Sequence, residues 1–415
     1  MTKVVMQGCL TSSRSARRLS SCRGVPERRS EESPAMQSMR VGLFTEIYRP
    51  VINGVVASVE ALASGLQSRG HKVFCFAPKM PGTAQSEGDV HRIPSLPLPA
   101  RTQYRLTLPL VSRRVNEVIK GLSVIHAHSP FVTGWMGMRC ARRYRMPMVY
   151  TYHTQLEAYA HYVPFETNAT RFAANRLTRI FANLADAVIA PTPAMAARLR
   201  ELGVTVRIET VPTGIDIALF AAGRRRDDVR ERIGVRTDDR MLFCVGRLAK
   251  EKNLGLLFEA LARANDPSLK LVIAGDGPSR ADLEQLAREF GVCEQSRFLG
   301  FISRHDLPDL YASADAFVMA STTETQGIVL AEALAAGATV IAADAPQNRD
   351  VLGSAGLLVP STAQAFAQAF GRVGSVSEPA RTALARQAAK RFSIQEQIDR
   401  TLALYESLIR PARIA

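Results

Sequence analysis

Short apolar runs alternate along this chain with longer stretches of helical spacing. From Met39 onward, residues 41–45 read as a buried strand, and 55–69 as a helix that stops at Gly70. Further strands are predicted over 72–77, 123–127, 148–152 and 187–190, with helical segments between them. Residues 217–239 break the rhythm. They are charged (Arg224, Arg225, Arg226, Asp227, Asp228) and poor in apolar positions, which suits a linker or a surface helix. The alternation then restarts, with strands over 241–245, 269–274, 316–319 and 339–343 and helices over 253–263, 280–290 and 328–336. The strand runs are nearly continuous in apolar residues, as strands covered on both faces must be. The pattern therefore predicts an α/β chain of two consecutive doubly wound, Rossmann-like domains, 39–215 and 240–393, joined by a linker at 216–239. Ligands of such sheets sit at the carboxyl ends of the strands, so the cleft between the domains is the expected site.

Composition adds exclusions. With 415 residues, 47% hydrophobic and 22% charged, the chain is neither disordered throughout nor a disulfide miniprotein. No apolar run reaches the ~20 residues that a membrane span needs. The six cysteines form no C-x2-C pair, so a zinc ribbon or thioredoxin-type site is not expected. Without a secretory signal they read as reduced cytoplasmic thiols. Residues 1–38 are rich in Ser and Arg and lack apolar periodicity. They read as a disordered extension or a start codon assigned too early, since Met36 and Met39 both precede the first strand.

The net charge of +15 is unevenly spread. Residues 1–38 carry +4, 39–215 carry +11, and 216–415 balance at 25 basic and 25 acidic side chains. A basic domain attracts polyanions, either nucleic acid or an anionic bilayer, or is simply a solvated surface. Aromatic content of 7% and the lack of any base-stacking or groove-reading motif argue against nucleic acid. Two segments, 109–122 and 171–184, have basic amphipathic patterns. Most of each apolar stripe is expected to cover the sheet, leaving the basic rims (Arg113, Arg114, Arg171, Arg176, Arg179) to meet lipid.

Several signatures are missing: the Walker loop, a complete Rossmann glycine fingerprint, HExxH and GxSxG. Asp-x-Asp is absent too, which removes a metal-binding carboxylate pair of that spacing. Three constellations remain, each after a predicted strand. In the first, Gly246 and Arg247 precede Lys252 and a helix starting at Asn253. Two cations beside a capped helix suit a diphosphate, and equally an exposed basic loop. In the second, Glu324, Gln326 and Gly327 lead into an apolar helix from Ile328 that carries Glu332. A buried carboxylate is costly unless paired or functional. The order carboxylate, helix amides, carboxylate matches a hexose, a diphosphate and a ribose, although Glu332 could simply pair with a cation in the cleft. In the third, Asn53-Gly54 ends a loop at a helix start and could bring backbone amides to a phosphate. A polar cluster at Tyr152, His153, Thr154, Glu157, Tyr159, His161 and Tyr162 closes another strand. There a lone His is more often structural.

Together, Glu324-x7-Glu332 with Gly337, Gly246-Arg247 with Lys252, and Val211-Pro-Thr-Gly214-Ile-Asp216 resemble the retaining glycosyltransferases of family 4, with the GT-B fold, over residues 39–409. Within that family, the segment from Tyr152 to Tyr162 and Thr323-Glu324-Thr325-Gln326-Gly327 resemble the diacylglycerol glucosyltransferases; nucleotide-mannose users often have Phe where Gln326 stands. The resemblance implies two Rossmann-like domains facing each other across a cleft, with 394–415 carrying a helix that crosses back to the first domain. It implies that Glu332 holds a ribose and that Arg247 and Lys252 neutralise the diphosphate. Glu324, with the amides of Gln326, Gly327 and the start of the helix at Ile328, would orient the hexose. His153 would touch the sugar near the reacting carbon, and Gly54 would face the diphosphate from the other domain. The expected donor is a nucleotide-sugar, UDP-glucose favoured. The expected acceptor is a lipid such as diacylglycerol at an anionic membrane surface, the enzyme being peripheral on the inner face. No metal, no cofactor and no nucleic-acid partner are expected. The alternatives are a GDP-mannose-dependent or other hexosyltransferase acting on a soluble glycan or polysaccharide precursor, and a GT-B sugar-nucleotide epimerase.

Overall fold

The structure is a computed structural model that describes residues 38–84, 86–98, 105–158, 167–374 and 378–412. The extension expected over 1–38 therefore lies, but for Ser38, outside the described residues.

The first sheet is built from β1 (Arg40–Phe44), β2 (Lys72–Pro78), β3 (Ser86–Glu87) and β4 (Val90–Ile93), then β7 (Val124–Ala127), β8 (Met148–Thr151), β9 (Ala187–Ala190) and β10 (Arg207–Thr210). Between them, β5 (Ser95–Pro97) and β6 (Arg105–Thr107) form a separate antiparallel ribbon. The strand order is 10-9-8-7-1-2-4-3, parallel except for the β3–β4 pair. The second sheet comprises β11 (Arg240–Val245), β12 (Leu269–Ala274), β13 (Ser296–Gly300), β14 (Ala316–Met319), β15 (Val340–Ala343) and β16 (Leu357–Val359). Its order is 13-12-11-14-15-16, all parallel.

Alternation of side chains gives each sheet two apolar layers. In the second sheet, Phe243, Val272 and Phe317 face one layer, and Leu242, Leu271, Ile273 and Val318 the other. In the first, Phe44, Ile125 and Tyr150 oppose Val41, Leu43 and Val149. The chain reverses strand order at β1 and at β11, so the ends of these strands border the cleft.

Every strand expected from the apolar runs is present. The ones not foreseen (β3 to β6, β10, β13, β16) are short, lie at sheet edges or in the ribbon, or carry Arg, Glu and Pro. Such strands are held by pairing with a neighbour rather than by their own pattern. The segment 216–239 forms two short helices, Ile217–Ala221 and Asp227–Arg232, rather than a free linker. Phe220 and Val229 enter the second domain's core. Arg230, 1% exposed, is held by Asp315 at 3.1 Å and the carbonyl of Ser313 at 2.8 Å.

The last helix, Ile394–Ala412, belongs to the first domain's core through Ile398, Leu402 and Tyr405. It crosses the helix Gly54–Ser68 at Gly65, where a Cβ would lie 2.5 Å from Ile398. Among the described residues no helix is long and apolar enough to cross a membrane.

Candidate active site

One wall of the cleft is the loop from Ser321 to Gly327, between β14 and the helix Ile328–Ala335. Its five successive carbonyls from Ser321 to Thr325 are all bonded. Asn348 Nδ2 donates to Ser321 O (3.1 Å) and Gln347 Nε2 to Thr322 O (2.7 Å). From the first domain, Gln155 Nε2 donates to Thr323 O (3.2 Å) and Glu324 O (2.8 Å), and Thr192 Oγ1 to Thr325 O (3.1 Å). The backbone amides of Glu324, Thr325, Gln326 and Gly327 donate to no described residue. A row of free amides ending at a helix N-terminus is a site for a phosphate or a sugar oxygen. Gly327 closes the row with φ 74°, a left-handed conformation that costs a Cβ-bearing residue about 1 kcal/mol or more.

Arg247, Lys252, Ser321 and Glu324 line one cavity below this loop, with Val245 and Gly246 at the end of β11. Both cations are already paired there. Lys252 Nζ lies 2.6 Å from Glu324 Oε1, and Arg247 Nη2 lies 3.4 Å from Glu251. Burial opposes the Glu324 charge, but Lys252 outweighs it and holds the carboxyl below its usual range. In turn Glu324 overcomes burial and holds the ammonium above its usual range. The exposed basic loop considered from sequence is thus a pair of ion pairs, and the uncompensated positive potential comes from the amides. Asn253 does not cap the helix Leu254–Ala264; it adopts φ 53° and joins that helix to a tight turn over Lys250–Lys252. The turn is bolted to the loop by Ser321 Oγ and Thr323 Oγ1, which donate to Glu251 O at 3.1 and 3.3 Å.

Glu332 is 7% exposed. Tyr311 Oη donates to it at 3.1 Å, and Arg304 lies 3.7 Å away. Burial pushes its carboxyl up to about 7 against the pull of both partners. Neither partner was foreseen: Tyr311 reads as core, and Arg304 lies in a polar loop without a motif. The Gln326 side chain is spent on the Thr213 backbone, accepting from its N at 2.7 Å and donating to its O at 3.0 Å. Only the Gln326 amide is left for a ligand. Gly54 begins its helix behind an Asn53 cap, whose Oδ1 accepts from Val56 N at 2.9 Å, and a Cβ at Gly54 would lie 3.7 Å from Ile328. The two helix starts therefore face each other across the cleft.

His153 follows β8, and its carbonyl accepts from Thr325 Oγ1 at 3.0 Å, which brings it beside the amide row. Glu157 pairs with Arg198 at 3.1 Å. Tyr159, His161 and Tyr162 lie outside the described residues.

The amphipathic segments are shorter or differently faced than expected. The first forms a helix only over Arg113–Lys120. The second, Asn168–Ala182, buries Thr178, Phe181 and Ala182 and leaves Phe172 and Ile180 exposed. Of the apolar stripe expected over 171–184 (Ala173, Leu177, Ile180, Phe181 and Leu184), Phe181 is buried, Leu177 and Leu184 are half-buried, and Ala173 and Ile180 are exposed.

The model of Glycosyltransferase Family 4 matches residues 52–219, and that of Glycosyl transferases group 1 matches residues 225–391. The alpha-monoglucosyldiacylglycerol synthase of Acholeplasma laidlawii is 34% identical over 319 residues, 73% of this chain and 80% of the relative. The synthase of that name from Streptococcus pneumoniae is 33% identical over 76% of this chain and 73% of its own. A GDP-mannose-dependent alpha-mannosyltransferase of Mycobacterium tuberculosis is also 33% identical, over 78% of this chain and 85% of its own. Among solved structures, Anabaena HepE in complex with UDP superposes with a TM-score of 0.70 at 21% identity, covering 89% of this chain and 100% of that one. The sucrose-phosphate synthase of Thermosynechococcus elongatus gives 0.71, also at 21%, covering 90% and 100%. The paired doubly wound domains, the cleft that they frame and these relatives agree: the chain belongs to glycosyltransferase family 4, has the GT-B fold, and resembles the diacylglycerol glucosyltransferases within that family.

Proposed function

We propose that this glycosyltransferase moves glucose from UDP-glucose to the hydroxyl of a diacylglycerol-type lipid at an anionic membrane face, retaining the α configuration and needing no metal. The observation that carries the donor half is the amide row of 324–327, flanked by Lys252 and Arg247 on one side and by buried Glu332 on the other. A nucleotide sugar fits that order. Glu332, ionised, accepts from ribose hydroxyls. Arg247 and Lys252, exchanging part of their bonding with Glu251 and Glu324, take the diphosphate. The amides hold phosphate and hexose oxygens.

Transfer then proceeds on one face of the sugar. The acceptor oxygen bonds to the anomeric carbon as the bond to the diphosphate breaks, its electrons going to the phosphate. The acceptor proton passes to a phosphate oxygen. No protein nucleophile takes part, and the protein contributes position and charge stabilisation.

The acceptor half rests on the two synthases, at 33–34% identity, and on the surface of the first domain. The β5–β6 ribbon and the segment after it expose Leu96, Leu98, Leu106, Leu110 and Val111, with Arg113 and Arg114 exposed immediately beyond. Phe172 and Ile180 stand among Arg171, Arg176 and Arg179 on a second helix. Apolar side chains among cations suit an anionic bilayer, which attracts each cation by about 1 kcal/mol.

The test is a transfer assay over UDP- and GDP-sugars with anionic vesicles, with and without diacylglycerol. An α-glucosyl lipid formed from UDP-glucose in the presence of EDTA is the expected product. Mannose transfer from GDP-mannose to a soluble glycan would establish the second reading, which the 33% identity to the mannosyltransferase favours.

A further inference from the structure

Behind His153 lie two more histidines. His126 on β7 is pinned between Tyr405 Oη of the last helix and Thr151 Oγ1 of β8, each at 2.6 Å. Its ring stacks on His128, with centroids 4.3 Å apart. His128 in turn meets His153, with Nδ1 2.9 Å from Nε2 of the outer ring. His126 and His128 are 1% and 4% exposed. Burial lowers His126 to about 3 and His153 to about 4, and holds His128 well below the usual histidine range, so all three rings are neutral near pH 7. Among the described residues no group of three or more His, Cys, Asp or Glu side chains could hold a metal ion.

Two neutral imidazoles at 2.9 Å share one proton, and the surroundings decide which ring carries it. If His153 Nε2 were the donor, the proton of His128 would sit on its own Nε2. That nitrogen is buried and has no hydrogen-bond partner. A buried N–H without an acceptor is rarer and costlier than a buried acceptor without a donor. The favoured arrangement is therefore His128 Nδ1–H donating to His153 Nε2, with the bare His128 Nε2 buried and unpartnered. The proton of His153 is then on Nδ1, and Nδ1 bonds no described residue.

We propose that His128 is a positioning residue that holds His153 in the Nδ1–H form, so that the ring adds a neutral hydrogen-bond donor to the amide row of 324–327 for an oxygen of the sugar or phosphate. Neutrality matters because positive charge develops at the anomeric carbon during transfer, and an imidazolium beside it would oppose that charge. The stacked His126, anchored to Tyr405 and Thr151, keeps the His128 plane fixed. The proposal rests on the donor-site reading above.

The proton positions are read on the full-length protein labelled with 15N-histidine, from long-range 15N–1H correlations that need no turnover. Wild type is expected to show His128 and His153 both protonated at Nδ1; His153 protonated at Nε2 overturns the proposal. His128→Asn keeps an N–H donor near the Nδ1 position, whereas His128→Gln moves it toward Nε2. Asn should preserve the His153 tautomer and nearly all turnover. Gln should release the tautomer and lower kcat roughly tenfold, the loss of about one hydrogen bond in the transition state. In a His153→Ala background the Gln change should cost nothing more. Equal damage by Asn and Gln, or a full additional loss in the double variant, marks His128 as merely structural and overturns the proposal. The expected tautomers in an enzyme that uses no nucleotide sugar would instead count against the donor-site reading alone.

Discussion

The two sides of the cleft are built on opposite plans. On the side proposed for the donor, the loop 321–327 has every carbonyl from Ser321 to Thr325 bonded from behind, and its cations are paired with Glu324 and Glu251. On the side proposed for the acceptor, the first domain carries an excess of eleven positive charges and shows Leu96, Leu106, Leu110 and Phe172 to solvent. A wall whose carbonyls and charged side chains are already bonded holds its shape, and its free amides in place, before the ligand arrives, so each group counts steeply. A surface of many weak, exposed groups acts additively and through the solvent. The donor wall should therefore respond to single substitutions, and the acceptor surface to salt and to combined ones.

The largest effect tests the donor wall. Lys252→Ala or Arg247→Ala should lower turnover about 10²- to 10³-fold, the loss seen when one transition-state charge stabiliser is removed. Near wild-type rates in both variants would show that the ion pairs are scaffolding and would erase the contrast with the acceptor side.

Glu332 gives the next largest effect, through pH. Its carboxyl titrates near 7 in the folded chain against an ordinary 4.5, so the folded state binds the proton more tightly. Stability of the ligand-free protein should fall as pH rises from about 4.5 to about 7, by about 3 kcal/mol. Donor affinity should rise over that same interval, because ribose hydroxyls need the ionised acceptor. Chemical denaturation and nucleotide titration at several pH values read both slopes, and Glu332→Gln should flatten them.

The acceptor side is sharpened by Arg113→Ala with Arg114→Ala. Losing two cations, at about 1 kcal/mol each, should weaken binding to anionic vesicles roughly 30-fold. Wild-type binding should itself fade as the Debye length shrinks from ~10 Å at 0.1 M salt to ~3 Å at 1 M. Sedimentation insensitive to salt would mean that insertion of the exposed leucines, rather than charge, holds the protein there.

The smallest effect crosses the cleft. Gln155→Ala removes two bonds from the donor loop, each worth about 1 kcal/mol. It should raise the donor KM several-fold although Gln155 belongs to the opposite domain. An unchanged KM would show that the second domain holds its loop alone.

How far each feature was legible follows from where its information resides. The βαβ rhythm was readable, and Glu324, Glu332, Gly327 and Lys252 could be singled out as candidates, because apolar runs and local spacing are properties of neighbouring residues. The pairing of Lys252 with Glu324, 72 positions away, was not, although both had been singled out separately. Gln326 shows the limit most plainly: its position marked it as a site residue, yet its side chain bonds Thr213, 113 positions earlier.

By itself, the sequence determined the two doubly wound domains, the strand ends that would carry the chemistry, and the basic character of the first domain. Burial period, turn residues and charge count are all local quantities. Only the tertiary structure decided that Glu332 titrates near neutrality, that the first domain's Gln155 and Thr192 brace the donor loop, and that three histidines line up behind the cleft. Desolvation and hydrogen-bond geometry depend on which distant segments meet, and no spacing along one chain encodes that.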